Sequence, residues 1–405
     1  MSAGRTPWAV SFMAVCYKIV GKCYKNDIDI KKYRNYNKTC KLQLFIFTTK
    51  MEKTSPLCAN TIRKVIHCQG TPRQCGRQYG ETAREEIRLE RDTFREGLPN
   101  GDWDAWCGSC RKMLRASAPD VLEEMEGLAE GADIPLEHVL LLNQWPDLKD
   151  VTDRCTPVFL RDSDRGPLVA KNNDGAENER HRCPFILRRV SPSQGVPFLQ
   201  VTYAGWLSGL DMLNAEGLAN THGSVGSRFP RPQGALDIRL RMYQMMRRCR
   251  NVQEALEFLM AVPLTGKGFS IAIGDASGDN ALIDAAVPRI QVCARRVPQG
   301  WSTNLYQSEE CRDWDWRTAE ARALNAKRGE FLAKRMREAP PQTLAELQEL
   351  LRSHEPYAPC RHGTGESSST FWSMIALPAE RKLLLCGGAP CCTAYQEHVL
   401  WRECP

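Results

Sequence analysis

A thiol acts as a nucleophile only where a base takes its proton, the surroundings favour the charge and donors meet the developing oxyanion. Among 18 cysteines in 405 residues, Cys155 in VTDRCTPVFL stands out by position. It opens a run of short strand patterns after about 100 residues that read as helical. The seven histidines (His67, His138, His181, His222, His354, His362 and His398) lie outside the local contexts of the Cys–His proteases, so sequence assigns no histidine base. The other known solution is a nucleophile at a chain terminus, whose own α-amino group titrates near ~8 and serves as the base once the preceding bond is cut. A conventional thiol hydrolase, pairing Cys155 with a histidine in the intact chain, is the rival chemistry. CGSC at Cys107–Cys110 is a lone CxxC and reads as two loop thiols. No Cys/His set has zinc spacing, and neither a metal nor a cofactor is expected.

The elements that must position Cys155 fall into blocks. Residues 62–145 read as mostly helical. GTPRQCGRQYGETAREEIRLERDTFREGL has Ala, Ile and Leu at helical spacing among paired Glu and Arg, DVLEEMEGLAEGA puts Val121, Leu122, Met125 and Leu128 on one face, and IPLEHVLLLNQWPDL starts a third helix at Pro135. From Cys155 the period is two: CTPVFLRD, PLVAKNND, PFILRRV, PFLQVTYAG and GLANTHGS are short strands between Gly, Pro and Asp turns. A helical block at ALDIRLRMYQMMRRCRNVQEALEFLMAV, a hairpin through GDASGD, a helical block over roughly residues 315–352 and a closing hairpin STFWSMIALPAERKLLLCGG complete the chain. Strand groups interleaved with helical blocks predict an α+β fold with helices packed on sheets.

Composition narrows the class. Hydrophobic content of 42% and charged content of 25% are those of a soluble globular protein. The net charge of +7 is misleading, because residues 1–50 hold eight Lys, two Arg and two Asp (+8), leaving −1 for the rest. The main body therefore carries no nucleic-acid footprint, and no membrane span is expected in it. Residues 1–50 read as a poorly ordered basic extension, with a signal or anchor at WAVSFMAVCY, a disordered arm, or an over-long start with Met51 as the natural first residue as the competing accounts. Cysteine usage is too low for a disulfide scaffold of this length, so a reducing, cytoplasmic location is expected.

From about Ile66 to Cys386 the chain resembles the acyl-CoA:6-aminopenicillanate acyltransferase family of self-cleaving N-terminal nucleophile hydrolases. The resemblance rests on IHCQGTPRQCGRQYGE, EGLAEGADIPLEHVLLLN, CTPV, AKNNDG, GLDMLNAEGLANTHGS, STN, and CRHG before STFWSMIAL, in the family's order. It implies a four-layer αββα sandwich made as a proenzyme and cut at Arg154–Cys155, with a helical α-chain region at 51–154, a β-chain region at 155–405, the two remaining associated, and 51–405 forming one domain. It implies that Cys155 is the nucleophile and its freed amine the base. Asp174 would orient and charge that amine, Asn304 would donate to the oxyanion, and Arg361 would balance the cluster's charge. His222 lies where the family places substrate-facing residues, and Tyr203 and Trp206 belong to core or pocket wall. The implied reaction is acyl transfer through a Cys155 thioester, from a small acyl amide or an acyl-CoA, to water or an amine.

Two departures stand out. Arg154 replaces the family's usual glycine before the nucleophile, and Asn173 replaces an aromatic often found before the aspartate. Arg154 is the feature behind a second reading, an unprocessed, inactive member that binds an acyl ligand or partner.

Overall fold

The computed structural model describes residues 60–95, 103–144, 155–177, 184–229, 234–363 and 368–400. Residues 1–50 and Arg154, on which two of the expectations above fall, lie outside this set. Residues 55–405 cluster as one compact unit.

The first block opens with a strand, as the likeness of IHCQGTPRQCGRQYGE to the family's short strand, Gly-Thr-Pro and helix implies: β1 (Ile62–Gly70) precedes α1 (Pro72–Thr82), α2 (Arg84–Arg95), α3 (Trp103–Ser117), α4 (Pro119–Ala132) and α5 (Leu136–Gln144). The GTPRQ segment starts α1 as its chemistry dictates. Thr71 accepts from the Gln74 amide, Gln74 returns a bond to the Thr71 amide, and Pro72 sits at the first helical position. Helix α3 carries both CGSC cysteines, correcting the expectation of loop thiols. Next come β2 (Thr156–Leu160), β3 (Leu168–Ala176), β4 (Phe185–Pro192), β5 (Phe198–Tyr203), β6 (Met212–Asn214), β7 (Ala219–Ser224) and β8 (Leu236–Asp237). The helical block divides at Cys249 into α6 (Ile238–Arg248) and α7 (Val252–Met260), where Asn251 caps the second helix. Then follow β9 (Leu264–Thr265), β10 (Phe269–Gly274), β11 (Asn280–Ala286), β12 (Arg289–Arg295), β13 (Gln299–Trp301), α8 (Glu309–Arg312), α9 (Ala319–Glu338), α10 (Leu344–Arg352), β14 (Ser368–Leu377), β15 (Lys382–Cys386) and β16 (Gln396–Val399).

Two main sheets result. One runs β1-β4-β5-β6-β7-β10-β11-β12 and the other β13-β2-β3-β14-β15-β16. Side-chain alternation sorts them into layers. Val158, Leu160, Leu168 and Ala170 pack against Leu332, Met336, Leu347, Leu350 and Leu351 of α9 and α10. The alternate residues Phe159 and Val169 face Phe185, Leu187, Leu199 and Val201 of the other sheet. The opposite face of that sheet packs on the helices of the first block together with α6 and α7. The order is helices, sheet, sheet, helices: the expected αββα sandwich. Its inner strands are buried on both faces, as β2 shows along its whole length. No helix among the described residues is long and apolar enough to cross a membrane.

Helices α1 and α4 lie so close that a Cβ at Gly76 would overlap the carbonyl of Glu124, and one at Gly131 the carbonyl of Arg77. Replacing Gly76 by Ala is therefore expected to force the helices apart and lower stability by roughly 1–3 kcal/mol, read from the denaturant midpoint. An unchanged midpoint would contradict this packing.

Candidate active site

Strand β3 is buried on both faces yet carries Lys171, Asn172, Asn173 and Asp174, at 0%, 0%, 7% and 1% exposure. Burying four consecutive polar residues is costly unless each finds partners, and the partners define the site. Thr156 pairs with Asn172 across the antiparallel β2–β3 ladder. Cys155, one residue before Thr156, shares the parity of Phe159 and faces the gap between the sheets, 1% exposed. Its Sγ lies 3.7 Å from Asn173 Oδ1 and 4.0 Å from the Asp174 carbonyl oxygen. Asn173, in the place of an aromatic, thus puts a polar atom beside the thiol.

Asp174 points the other way along the β3 pleat. Its Oδ1 accepts from Thr370 Oγ1 at 2.8 Å, and Thr370 is its register partner on β14. The same hydroxyl accepts the Arg361 backbone N–H at 3.0 Å, and the Arg361 carbonyl accepts from the Thr370 amide at 2.9 Å. Arg361, 3% exposed, also donates from Nε to Ser368 Oγ at 3.2 Å. Thr370 therefore links Asp174 to Arg361 through one oxygen that donates and accepts.

Asn304 is fully buried. Its Nδ2 donates to the Ser224 carbonyl at 2.8 Å, and its Oδ1 accepts from Arg328 Nη1 at 3.1 Å, so the guanidinium fixes which end of the amide is nitrogen. Arg328 of α9 does more. Nη1 also reaches Asn325 Oδ1 at 2.7 Å, while Nη2 donates to the Cys155 carbonyl at 3.0 Å and to Thr156 Oγ1 at 2.8 Å. One buried cation thus ties the start of β2 to Asn304. The sequence offers no local signal for it, since Arg328 is one of 38 arginines, in a long helix with little amphipathic pattern.

With this arrangement in view, the profile of the acyl-coenzyme A:6-aminopenicillanic acid acyl-transferase family matches residues 161–391, more than half of the 405. The chain belongs to that family. A curated relative, the 40 kDa form of the acyl-coenzyme A:6-aminopenicillanic-acid-acyltransferase of Emericella nidulans, is 24% identical over 180 residues. That match covers 42% of this chain and 49% of the relative, so the chain spans about half the length of the curated relative it matches. Two solved structures are also similar. The conjugated bile acid hydrolase of Clostridium perfringens is 11% identical, covering 57% of this chain and 88% of that one, with a TM-score of 0.36. The N-acylethanolamine-hydrolyzing acid amidase orthologue of Caenorhabditis elegans is 12% identical, covering 56% and 93%, also at 0.36. Likeness at this level transfers nothing in detail to the present chain.

The remaining family-motif residues have visible work. Asn143, ending EGADIPLEHVLLLN, accepts from the Leu207 amide at 2.7 Å and donates to the Gly205 carbonyl at 2.9 Å. Tyr79 of α1 accepts from the Gly205 amide at 2.6 Å and donates to the Tyr203 carbonyl at 3.2 Å. Together they pin the turn bearing Tyr203 and Trp206, whose rings stand 5.2 Å apart, Tyr203 also 4.3 Å from Phe185. These two form an aromatic wall, and Arg239 covers Trp206 at 4.8 Å.

His222 belongs to a second group. Its Nδ1 is 3.2 Å from Lys171 Nζ and 3.2 Å from Asp211 Oδ2, and Asp211 Oδ1 accepts from Thr221 Oγ1 at 2.7 Å. Lys171 Nζ lies 3.1 Å from Asp211 Oδ2. Lys171 shares the inner face with Asn173, two residues on, so this charged group and the thiol occupy the same gap between sheets. Burial pushes the Asp211 carboxyl up, but His222 and Lys171 outweigh it and hold it below the ordinary aspartate range.

Breaking this pair takes an ion-pair partner from the buried Asp211 charge. Lys171→Met is expected to cost about 3–5 kcal/mol, and Lys171→Met with Asp211→Leu to recover much of it, measured by chemical denaturation. Because the folded-state value of Asp211 is depressed, its contribution is present above about pH 5 and fades as pH falls through about 4 and below. Wild type should show that acid loss and the double variant should lack it. Equal acid profiles would refute the pairing.

Proposed function

We propose that the protein is an N-terminal nucleophile acyltransferase or amidohydrolase, activated by scission of Arg154–Cys155 and working through a Cys155 thioester. The observation that carries the reading is the Cys155 thiol at the head of β2, beside Asn173 and Asp174, with its carbonyl held by the same guanidinium that orients Asn304. In processing, the Cys155 sulfur attacks the Arg154 carbonyl carbon and the peptide C–N bond breaks, leaving a thioester and a free α-amino group. Water then hydrolyses the thioester, releasing the Arg154 carboxylate and restoring the thiol.

In turnover the α-amino group takes the thiol proton, and the thiolate adds to the substrate acyl carbon. The oxyanion is met by the Asn304 amide, a neutral donor whose orientation Arg328 fixes in advance. The leaving amine or CoA thiol departs with the proton. Water or an acceptor amine then attacks the thioester and returns the enzyme. Asp174, with Arg361 linked through Thr370, supplies the negative charge that favours an ammonium at Cys155 between proton transfers. Tyr203 and Trp206 offer an apolar wall for the acyl group, and the Lys171–Asp211–His222 group offers polar contacts for the remainder. No resident cofactor is required, and acyl-CoA enters as substrate. The substrate is a small acyl amide or thioester.

Association of the two chains after scission is supported by the ladder and the core. β1, on the α-chain side, pairs in parallel with β4 on the β-chain side, and buried Arg188 and Glu124 form an ion pair across the cut at 2.6 Å. Cytoplasmic residence is supported by the free thiols at Cys68, Cys75, Cys107, Cys110, Cys155 and others among the described residues, while Cys392 is disulfide-bonded.

The direct test is N-terminal sequencing of the purified chain. A fragment beginning Cys-Thr-Pro-Val is expected, lost in Cys155→Ala and formed slowly in Cys155→Ser. A single full-length band from wild type would instead contradict self-cleavage and favour the unprocessed, ligand-binding reading. Asp174→Asn should lower kcat/KM by about 10²–10⁴-fold, and wild-type kcat/KM should rise with pH through about 7–8 as the α-amino group loses its proton.

A further inference from the structure

We propose that His354, Cys360, His362 and Cys391 form a four-ligand site for a borderline-soft divalent cation, with Zn²⁺ the best chemical match. Each offers one ligand atom, and these four atoms lie within 4.8 Å of one another. Ligand atoms about 2.0–2.3 Å from a common centre at tetrahedral angles stand about 3.3–3.8 Å apart. The observed separations bracket that range: His362 Nε2 is 3.1 Å from Cys391 Sγ and 3.8 Å from Cys360 Sγ. The His354 and His362 rings sit side by side, with centroids 4.4 Å apart and planes inclined at 68°. Two thiolates and two neutral imidazoles are a structural zinc set, and they would leave the occupied site neutral.

The site is built by three separate stretches that backbone bonds hold together. The Cys360 amide donates to the Ser353 carbonyl at 3.2 Å, closing the loop that brings His354 to Cys360. Within that loop Tyr357 takes a left-handed φ of 73°, a strained conformation that surrounding structure must impose. Arg352 Nε donates to the Pro390 carbonyl at 3.1 Å, seating the Cys391 segment beside the end of α10. His362 bridges to Ser369 of β14. Cys360 and Cys391 are free thiols, so the adjacent disulfide at Cys392 does not consume them.

The ligands flank a residue of the candidate active site. Arg361 lies between Cys360 and His362, and through Thr370 it reaches Asp174. A cation here would clamp the Cys360–His362 segment and so hold Arg361 in register with β14. The site's existence does not depend on the processing of Cys155, so metal content and self-cleavage fail independently as readings.

The test is metal analysis of full-length protein purified under reducing conditions without chelator. One zinc per chain is expected. Cobalt-loaded protein should show thiolate-to-metal charge-transfer absorption that disappears in Cys360→Ser and Cys391→Ser. Should those buried-site variants fail to fold, His354→Ala keeps the question open to measurement, since His354 is exposed and its loss should weaken zinc binding by about tenfold or more with the fold intact. Cys110→Ser should leave zinc content unchanged. Zinc-loaded protein that retains no metal after dialysis while Cys360 and Cys391 remain reduced would overturn the proposal. A Cys360–Cys391 disulfide in freshly reduced protein would overturn it equally.

Discussion

A guanidinium with 1% of its surface exposed must keep its acceptors, and among the described residues those of Arg328 include the Cys155 carbonyl, Thr156 Oγ1, Asn304 Oδ1 and Asn325 Oδ1. Charged hydrogen bonds in a dry interior are strong, and losing one leaves a desolvated charge. The head of β2, the amide of Asn304 and the middle of α9 are therefore fixed relative to one another by one side chain. The thiol can be presented at a set position because its backbone is held from the helical side while Sγ faces the opposite sheet. Arg328 is a positioning residue in this scheme, acting through the backbone of Cys155 and the amide of Asn304.

The same layering explains why β3 concentrates so much polarity. A strand covered by helices on one face and a second sheet on the other would normally be apolar throughout. Instead, alternate residues of β3 send polar groups in both directions. Asn172 donates to the Leu351 carbonyl of α10 at 2.8 Å and Asp174 accepts from Thr370, while Lys171 meets Asp211 and Asn173 meets the thiol. Each group is held by a partner from a different element, so the sandwich acquires one geometry. An apolar strand of the same shape could slip or repack; this one cannot move without abandoning several buried partners.

The resemblance puts Cys155, Asp174, Asn304 and Arg361 inside short ordered motifs and implies the four-layer sandwich, while the change of hydrophobic period at Cys155 predicts only helices packed on sheets. Other features were illegible for a common reason: their meaning lies in partners far along the chain. Arg328 reaches Cys155 across 173 residues, and Lys171 meets Asp211 and His222 by the pairing of sheets. By residue pattern alone β1 falls in a block that reads as mostly helical, and only the likeness of IHCQGTPRQCGRQYGE to the family motif implies a strand there; its burial alternates along its length, and its partner β4 lies beyond the proposed cut. The CGSC thiols suggested a loop because CxxC is a local pattern, yet the amphipathic run around them makes a helix. The four Cys and His side chains near Arg361 escape any spacing rule, since a loop, a bridge and a turn bring them together.

The central claim is that Cys155, at a chain terminus, carries the acyl group. The most direct measurement is intact mass of the purified protein quenched in acid within the first turnover of a chromogenic acyl thioester, followed by peptide mapping. The account predicts an added acyl mass on the fragment that begins at Cys155, confined to that residue and removed by neutral hydroxylamine as a thioester is. An acyl adduct on another residue, or on Cys155 within an unbroken chain, would contradict it.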